Sequence, residues 1–163
     1  MYKFRIPSAV RPKAWFYLSG GQSLLEAHPN VYHELLEQEG DAQIIDEIRR
    51  DQNRQFPMHE MFLDEDRPGQ KELFNILKAY SILNPQTGYC QAQAPIAAFL
   101  LMHLPSEQAF WAFVSICDKY LKDYSHLPKG PTIFELHQAL REKKAVALMG
   151  DRPLGGRFEL VNF

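Results

Sequence analysis

The sequence predicts a mainly all-α fold, and three observations support this prediction. Before residue 127, apolar residues recur three and four positions apart in most segments, which is the spacing of one helix face. Clusters of glycine and proline separate these segments as turns. Only residues 127–163 depart from the pattern. We therefore divide the chain into a helical lobe, residues 1–126, and a divergent tail, residues 127–163.

The first part of the lobe predicts three helices. Residues 9–18 form a short helical pattern that stops at Gly20, since glycine readily takes the left-handed conformation of a helix end. A second helix is predicted over residues 29–38. Asp41 is placed as the N-cap of a third helix, because isoleucines repeat at helical spacing after it. That helix is expected to end near Phe56, which precedes a proline.

Three longer helices are predicted in the rest of the lobe. After a polar loop at residues 64–69, residues 70–83 form a strongly amphipathic pattern. Residues 89–103 are apolar nearly all round, which indicates a central buried helix that Pro95 should start, kink or split. Ser106 is expected to cap the last helix, whose aromatic stripe we assign to the core.

The tail has a different pattern. Residues 127–131 form a breaker cluster, which suggests a boundary. Thr132 and Glu135 fit a capping box for a helix that reaches Lys144. Residues 145–149 and 157–163 are expected to form two short strands, possible partners in a β-hairpin.

Composition and charge exclude several classes of function. The chain has 163 residues, of which 45% are hydrophobic and 23% charged, values typical of ordered soluble domains. Its 18 basic and 20 acidic residues give a net charge of −2, without the basic excess of nucleic-acid binders. The longest apolar run, residues 94–101, is too short to span a bilayer, and the first residues lack a secretory signal. We expect a cytoplasmic protein that binds no nucleic acid.

Metal-ligand patterns are weak throughout the sequence. The two cysteines, Cys90 and Cys117, provide neither a disulfide framework nor a zinc-binding pair. His28 and His33 are five residues apart, and no carboxylate pattern completes a site with them. We expect the chain to bind no metal ion.

Two short motifs carry the polar residues of interest. The first is Ile48-x-x-Asp51-x-x-Arg54, at the end of the third predicted helix. Its spacing allows Asp51 and Arg54 to form an i,i+3 ion pair, which on an exposed surface contributes only a few tenths of a kcal/mol. The second is Tyr89-Cys90-Gln91, at the start of the predicted buried helix. Spacing alone assigns neither motif a function.

Together with two other segments, these motifs resemble the N-terminal part of a TBC domain, the helical module of Rab GTPase-activating proteins. Residues 11–20 match the family's Arg-x-x-x-Trp-x-x-Leu-x-Gly signature, and residues 48–57 match its arginine-finger motif. Residues 69–80 match the connecting element, and residues 88–91 match the glutamine-finger motif. Residues 89–98 are similar to the carabin-like subgroup. The likeness covers residues 6–124.

The resemblance implies that the chain stimulates GTP hydrolysis by a Rab-type small GTPase in its GTP-bound state. Arg54 would enter the partner's nucleotide site, and Gln91 would orient the attacking water. Asp51 would hold the arginine's helix end, and Tyr89 would support Gln91. No cofactor of its own is implied, because magnesium and GTP belong to the partner. A role in vesicle trafficking and a peripheral, partner-mediated contact with membranes follow from the same resemblance.

Two alternatives remain open. Because the family's domain continues with a second helical lobe, the chain is also interpretable as a GTPase-binding fragment without useful catalysis. His59 and Asp64 have the His-x₄-Asp spacing of some acyltransferases, in which the histidine is a base. We prefer a partly buried loop histidine for His59. Arg11 and Trp15 are expected to be structural, attaching the first helix to the core.

Overall fold

The computed structural model describes residue 7, residues 9–63 and residues 67–121, and all regular structure in this part is helical. The all-α prediction is therefore confirmed for it. The predicted tail helix, the two predicted strands and the boundary after residue 126 lie outside the described residues. In chain order the helices are α1 Arg11–Ser19, α2 Gly21–Ala27, α3 Val31–Glu37, α4 Ala42–Gln52, α5 Pro68–Leu83, α6 Gln93–Leu101 and α7 Ser106–Ile116, followed by a π-helical turn at Cys117–Leu121.

Helices α5, α6 and α7 pack against one another and supply most of the core. The predicted aromatic stripe of α7 is fully buried there, which confirms its assignment to the core. Helix α2 packs along α7, and α3 packs on α5. Helix α4 packs on α5 and also contacts α6, with Ile48 fully buried. The end of α4 is thereby brought close to the start of α6.

The start of α4 agrees with the sequence, and its end does not. Asp41 is the N-cap, since its Oδ1 accepts hydrogen bonds from the backbone N–H groups of Gln43 at 2.9 Å and Ile44 at 3.1 Å. The helix ends at Gln52, before the predicted end near Phe56. Residues 53–63 instead form a series of turns and bends. Arg54 therefore lies in a turn just beyond the helix.

Helix α2 was not predicted, because Gly20 and Gly21 together indicate the end of a helix. Gly20 does end α1, with a φ of 90°. Gly21 nevertheless begins a new helix that packs closely on α7, where a Cβ on Gly21 would lie 2.8 Å from the backbone nitrogen of Ala112. The second glycine serves this close approach between helices, which a single sequence does not reveal.

The starts of α6 and α7 require a correction of the predictions. Helix α6 begins at Gln93, not at residue 89, and Pro95 lies in its first turn, where the missing proline N–H costs no helical hydrogen bond. Ser106 does not cap α7: it is the first helical residue, Pro105 occupies the N-cap, and no side-chain cap bond forms. In the described part of the chain, no helix has the length and apolar character needed to cross a bilayer.

Candidate functional site

The arginine motif spans the last turns of α4 and the turn that follows. Buried Ile48 fixes the helix to the core, and the backbone N–H of Arg54 donates to the carbonyl of Asp51 at 3.2 Å. The Arg54 side chain is 61% exposed, whereas that of Asp51 is only 13% exposed. The motif therefore presents a solvent-accessible cation beside a largely covered carboxylate.

The predicted ion pair between Arg54 and Asp51 is present, because an Nη2 hydrogen of Arg54 is donated to Oδ1 of Asp51. A second pair on the same helix shows the contrast. Arg50 and Asp46 pair at 2.8 Å, yet both side chains are more than 65% exposed. That pair is an ordinary solvated pair of small energetic value. The carboxylate of Asp51 is set apart by its burial and by a second partner.

The second partner of Asp51 is Tyr89, which lies 38 positions later in the sequence. The Tyr89 hydroxyl donates to Oδ2 of Asp51 at 3.1 Å. Burial, the negative charge of Asp51 and this hydrogen bond raise the pKa of Tyr89, and the charge of Arg54 opposes them only weakly. The hydroxyl therefore stays protonated and remains a donor. This bond connects the two motifs that the sequence analysis selected.

Gln91 lies in the turn that leads into α6, two residues after Tyr89, and its side chain is exposed. The residues around it fix the turn. Ala92 and Gln93 are buried, and Oε1 of Gln93 accepts a hydrogen bond from the backbone N–H of Cys90 at 3.2 Å. Gln93 thus has a structural role in this turn. The amide of Gln91 is presented to solvent from a braced backbone.

The hydroxyl of Tyr89 contacts the arginine motif. Its expected role is support of Gln91, and in the structure its hydroxyl is bonded to Asp51. One residue, Cys90, separates Tyr89 from Gln91 along the backbone. Asp51 contacts Arg54 directly.

The other residues named from the sequence make packing or backbone contacts where the structure describes them. Trp15 is 5% exposed and packs against Phe99 and His103, with the Arg11 guanidinium 6.0 Å from its ring centre. The ring of His59 is half-buried, and its Nδ1 accepts from the backbone N–H of Met61 at 3.2 Å. Asp64 lies outside the described residues. Among those that are described, no group of three metal-ligating side chains is assembled.

Exposed apolar side chains follow Arg54, and the sequence pattern did not predict them. Met58 is 91% exposed, and Phe56 and Leu63 are 37% and 52% exposed. Phe56 also adopts a φ of 46°, which is uncommon for a residue other than glycine. The one available signal was the placement of these apolar residues directly after the arginine.

Removing the Tyr89 hydroxyl tests how strongly the two motifs are connected. We expect Tyr89→Phe to lower the free energy of unfolding by about 1 to 2 kcal/mol, because a largely covered carboxylate loses a hydrogen bond. Urea denaturation measures this change. Tyr17→Phe is the matched control, because Tyr17 is 52% exposed on α1. Equal stabilities of the two variants would show that the bond contributes nothing.

Comparisons with known proteins agree on one family. A sequence profile described as Rab-GTPase-TBC domain matches residues 8–143. The chain is 69% identical over 119 residues to TBC1 domain family member whacked of Drosophila melanogaster. The matched segment covers 73% of this chain and 33% of that protein. Carabin of Mus musculus is 50% identical over 119 residues, covering 73% of this chain and 27% of Carabin.

A solved structure supports the same assignment. The crystal structure of the Chlamydomonas flagellar RabGAP TBC domain superposes with a TM-score of 0.64 at 28% identity, covering 71% of this chain and 40% of that one. The chain thus spans a third or less of the two protein relatives and less than half of the solved domain. Because the profile match extends over residues 8–143 and the helical fold agrees, the chain belongs to the Rab-GTPase-TBC domain family.

Proposed function

We propose that the chain stimulates GTP hydrolysis by a Rab-type small GTPase in its GTP-bound state, with Arg54 and Gln91 acting on the partner's nucleotide site. The observation that carries the proposal is the hydrogen bond from Tyr89 to Asp51, which joins the arginine motif to the segment that bears Gln91. The exposure of both Arg54 and Gln91 further supports it, since each must reach a site on another protein.

Arg54 supplies the positive charge. Phosphoryl transfer develops negative charge on the phosphate oxygens, and a planar guanidinium that remains charged offers several donors to them. An arginine supplied by a second protein accelerates hydrolysis by about 10³- to 10⁵-fold, which corresponds to about 4 to 7 kcal/mol of the barrier. On docking, Arg54 exchanges its Asp51 partner for phosphate oxygens, while Tyr89 continues to donate to the carboxylate that Arg54 leaves.

Gln91 acts on the water. A carboxamide carries both a donor and an acceptor, so it can hold the attacking water in line with the phosphate that is transferred. Its backbone lies between Tyr89, bonded to Asp51, and Gln93, bonded to the N–H of Cys90. These two bonds restrict the backbone at Gln91. Less conformational freedom is therefore lost when the amide binds water, which favours a catalytic role.

The partner brings the nucleotide and its magnesium ion, so the chain itself provides only protein side chains. A Rab-type partner implies action in vesicle trafficking on the cytoplasmic side of membranes. Contact with those membranes is then peripheral and is mediated by the partner.

A second candidate function is binding of the GTPase without stimulation of hydrolysis. The observation that favours it is the ion pair of Arg54 with Asp51, because a guanidinium that keeps this partner on docking does not reach the phosphate oxygens. Catalysis requires the two side chains to be held within a fraction of an ångström by their surroundings, whereas binding tolerates more freedom.

Single-turnover hydrolysis separates the two functions. Purified Rab GTPases, each loaded with GTP, are mixed with an excess of the chain, and phosphate release is followed over time. We expect acceleration by at least about 100-fold for one or more of the GTPases, and loss of most of it in Gln91→Ala. Gln43→Ala is the control, because Gln43 is an exposed glutamine at the opposite end of α4 from Arg54. Binding without acceleration would favour the second candidate.

A further inference from the structure

Three of the six large apolar side chains exposed in the described part of the chain lie in residues 56–63, which we call the apolar loop. They are Phe56, Met58 and Leu63, and Met58 is the most exposed of the six at 91%. The apolar loop begins two residues after Arg54. Its exposed surface therefore adjoins the proposed catalytic arginine.

Contacts with buried residues hold the apolar loop in place. Phe62 is 1% exposed, and its carbonyl accepts a hydrogen bond from Nε2 of the buried Gln70 at 2.9 Å. The rings of Phe56 and His59 lie 6.4 and 5.8 Å from that of Phe62. The backbone N–H of Met61 donates to His59. Met58 is thus exposed on a braced scaffold, and its exposure is not that of a loose chain end.

Distance along the chain restricts what can cover the apolar loop. Met58 follows Arg54 by four residues, which span at most about 14 Å even when fully extended. A protein that accepts Arg54 in a nucleotide site therefore approaches Met58 as well. Methionine adapts to irregular apolar surfaces, and methionine and aromatic residues are enriched at the centres of interfaces.

We propose that the apolar loop, with Met58 at its centre, is the anchor that docks on an apolar surface beside the nucleotide site of the GTP-bound small GTPase. The inference rests on the proposed function and names the part of the chain that supplies affinity. Arg54 supplies rate and Met58 supplies binding, so the two contributions are separable by experiment.

Charge argues against a lipid surface as the occupant. Glu60 lies exposed within the apolar loop, and Asp64, Glu65 and Asp66 follow it directly in the sequence. Anionic headgroups attract basic segments and repel acidic ones. This run of acidic residues therefore opposes insertion of Met58 into a charged bilayer, whereas it can complement basic residues of a protein partner.

The test compares two apolar-to-acidic substitutions. Purified Rab GTPases loaded with a non-hydrolysable GTP analogue are titrated with the chain, and dissociation constants are measured by calorimetry. We expect Met58→Asp to weaken binding about tenfold or more, and Met58→Leu to retain it within about threefold. Leu18→Asp is the matched control, because Leu18 is 63% exposed on α1 and distant in sequence from Arg54. It should bind within about twofold of the parent chain. Circular dichroism melting verifies that all variants are folded.

Each contrary outcome is informative. Unchanged binding by Met58→Asp, equal losses in both acidic variants, or no binding of any GTPase by the parent chain would overturn the anchor. The anchor would also be overturned if Met58→Asp lost binding to vesicles of phosphatidylcholine and phosphatidylserine in a pelleting assay but kept its affinity for the GTPase. If the parent chain binds without accelerating hydrolysis and Met58→Asp abolishes that binding, the catalytic proposal fails while the anchor stands. If Met58→Asp binds normally and the parent chain accelerates hydrolysis, the anchor fails while the catalytic proposal stands.

Discussion

Replacing Arg54 by alanine is expected to lower the stimulated rate of GTP hydrolysis by about 10³-fold or more, the contribution of an arginine supplied to a GTPase by a second protein. Binding to the GTP-loaded partner should change far less, because Met58 and the rest of the docking surface remain. The separation arises because Arg54 is 61% exposed and its partner Asp51 is a neighbour on the same chain. Single-turnover phosphate release and calorimetric titration measure the two effects.

The lysine variant tests the geometry of the charge. Arg54→Lys keeps a cation but loses the planar group that bonds to two phosphate oxygens at once. We expect it to recover less than a tenth of the lost acceleration. Arg50→Ala is the control for general surface charge, since Arg50 is equally exposed one turn earlier and pairs with Asp46. If Arg50→Ala and Arg54→Ala slow hydrolysis equally, long-range electrostatics and not a catalytic arginine explains the effect.

The helices that sequence predicts well are those in which local signals agree. Around α4, the cap at Asp41 and the isoleucine spacing both favour a helix, and the structure begins it at Ala42. Around α5, the amphipathic pattern gives the end at Leu83 correctly. The ion pair of Asp51 with Arg54 was also predictable, because the two residues are three positions apart where α4 ends.

Contacts between distant segments explain what sequence did not reveal. Tyr89 and Asp51 are 38 positions apart, and no local rule pairs them. The apolar loop depends on the same kind of contact, since Gln70 reaches back eight residues to the carbonyl of Phe62. Without that contact, residues 56–63 are interpretable only as a loop that follows a helix. The same hydrogen bond offsets part of the cost of burying the polar Gln70 on the core side of α5.

A very small substitution in the first turn of α5 is expected to change the stability of the protein strongly. A Cβ on Gly69 would overlap the carbonyl oxygen of Met61 and lie 2.5 Å from its Cγ. Backbone atoms cannot move aside as a flexible side chain can. Gly69→Ala should therefore lower the free energy of unfolding by about 2 kcal/mol or more, as overpacking of a tight contact does. Urea denaturation followed by circular dichroism measures the change.

The sign of that change is the decisive result. Alanine in place of glycine within a helix ordinarily stabilises a protein by about 0.5 to 1 kcal/mol, so a loss would identify the contact with Met61 as its cause. Lys71→Ala, at an exposed position of the same helix, should remain within about 0.5 kcal/mol of the parent chain. A stabilised Gly69→Ala would mean that the apolar loop can lift away from α5. Met58 would then lack the fixed support on which its role as an anchor depends.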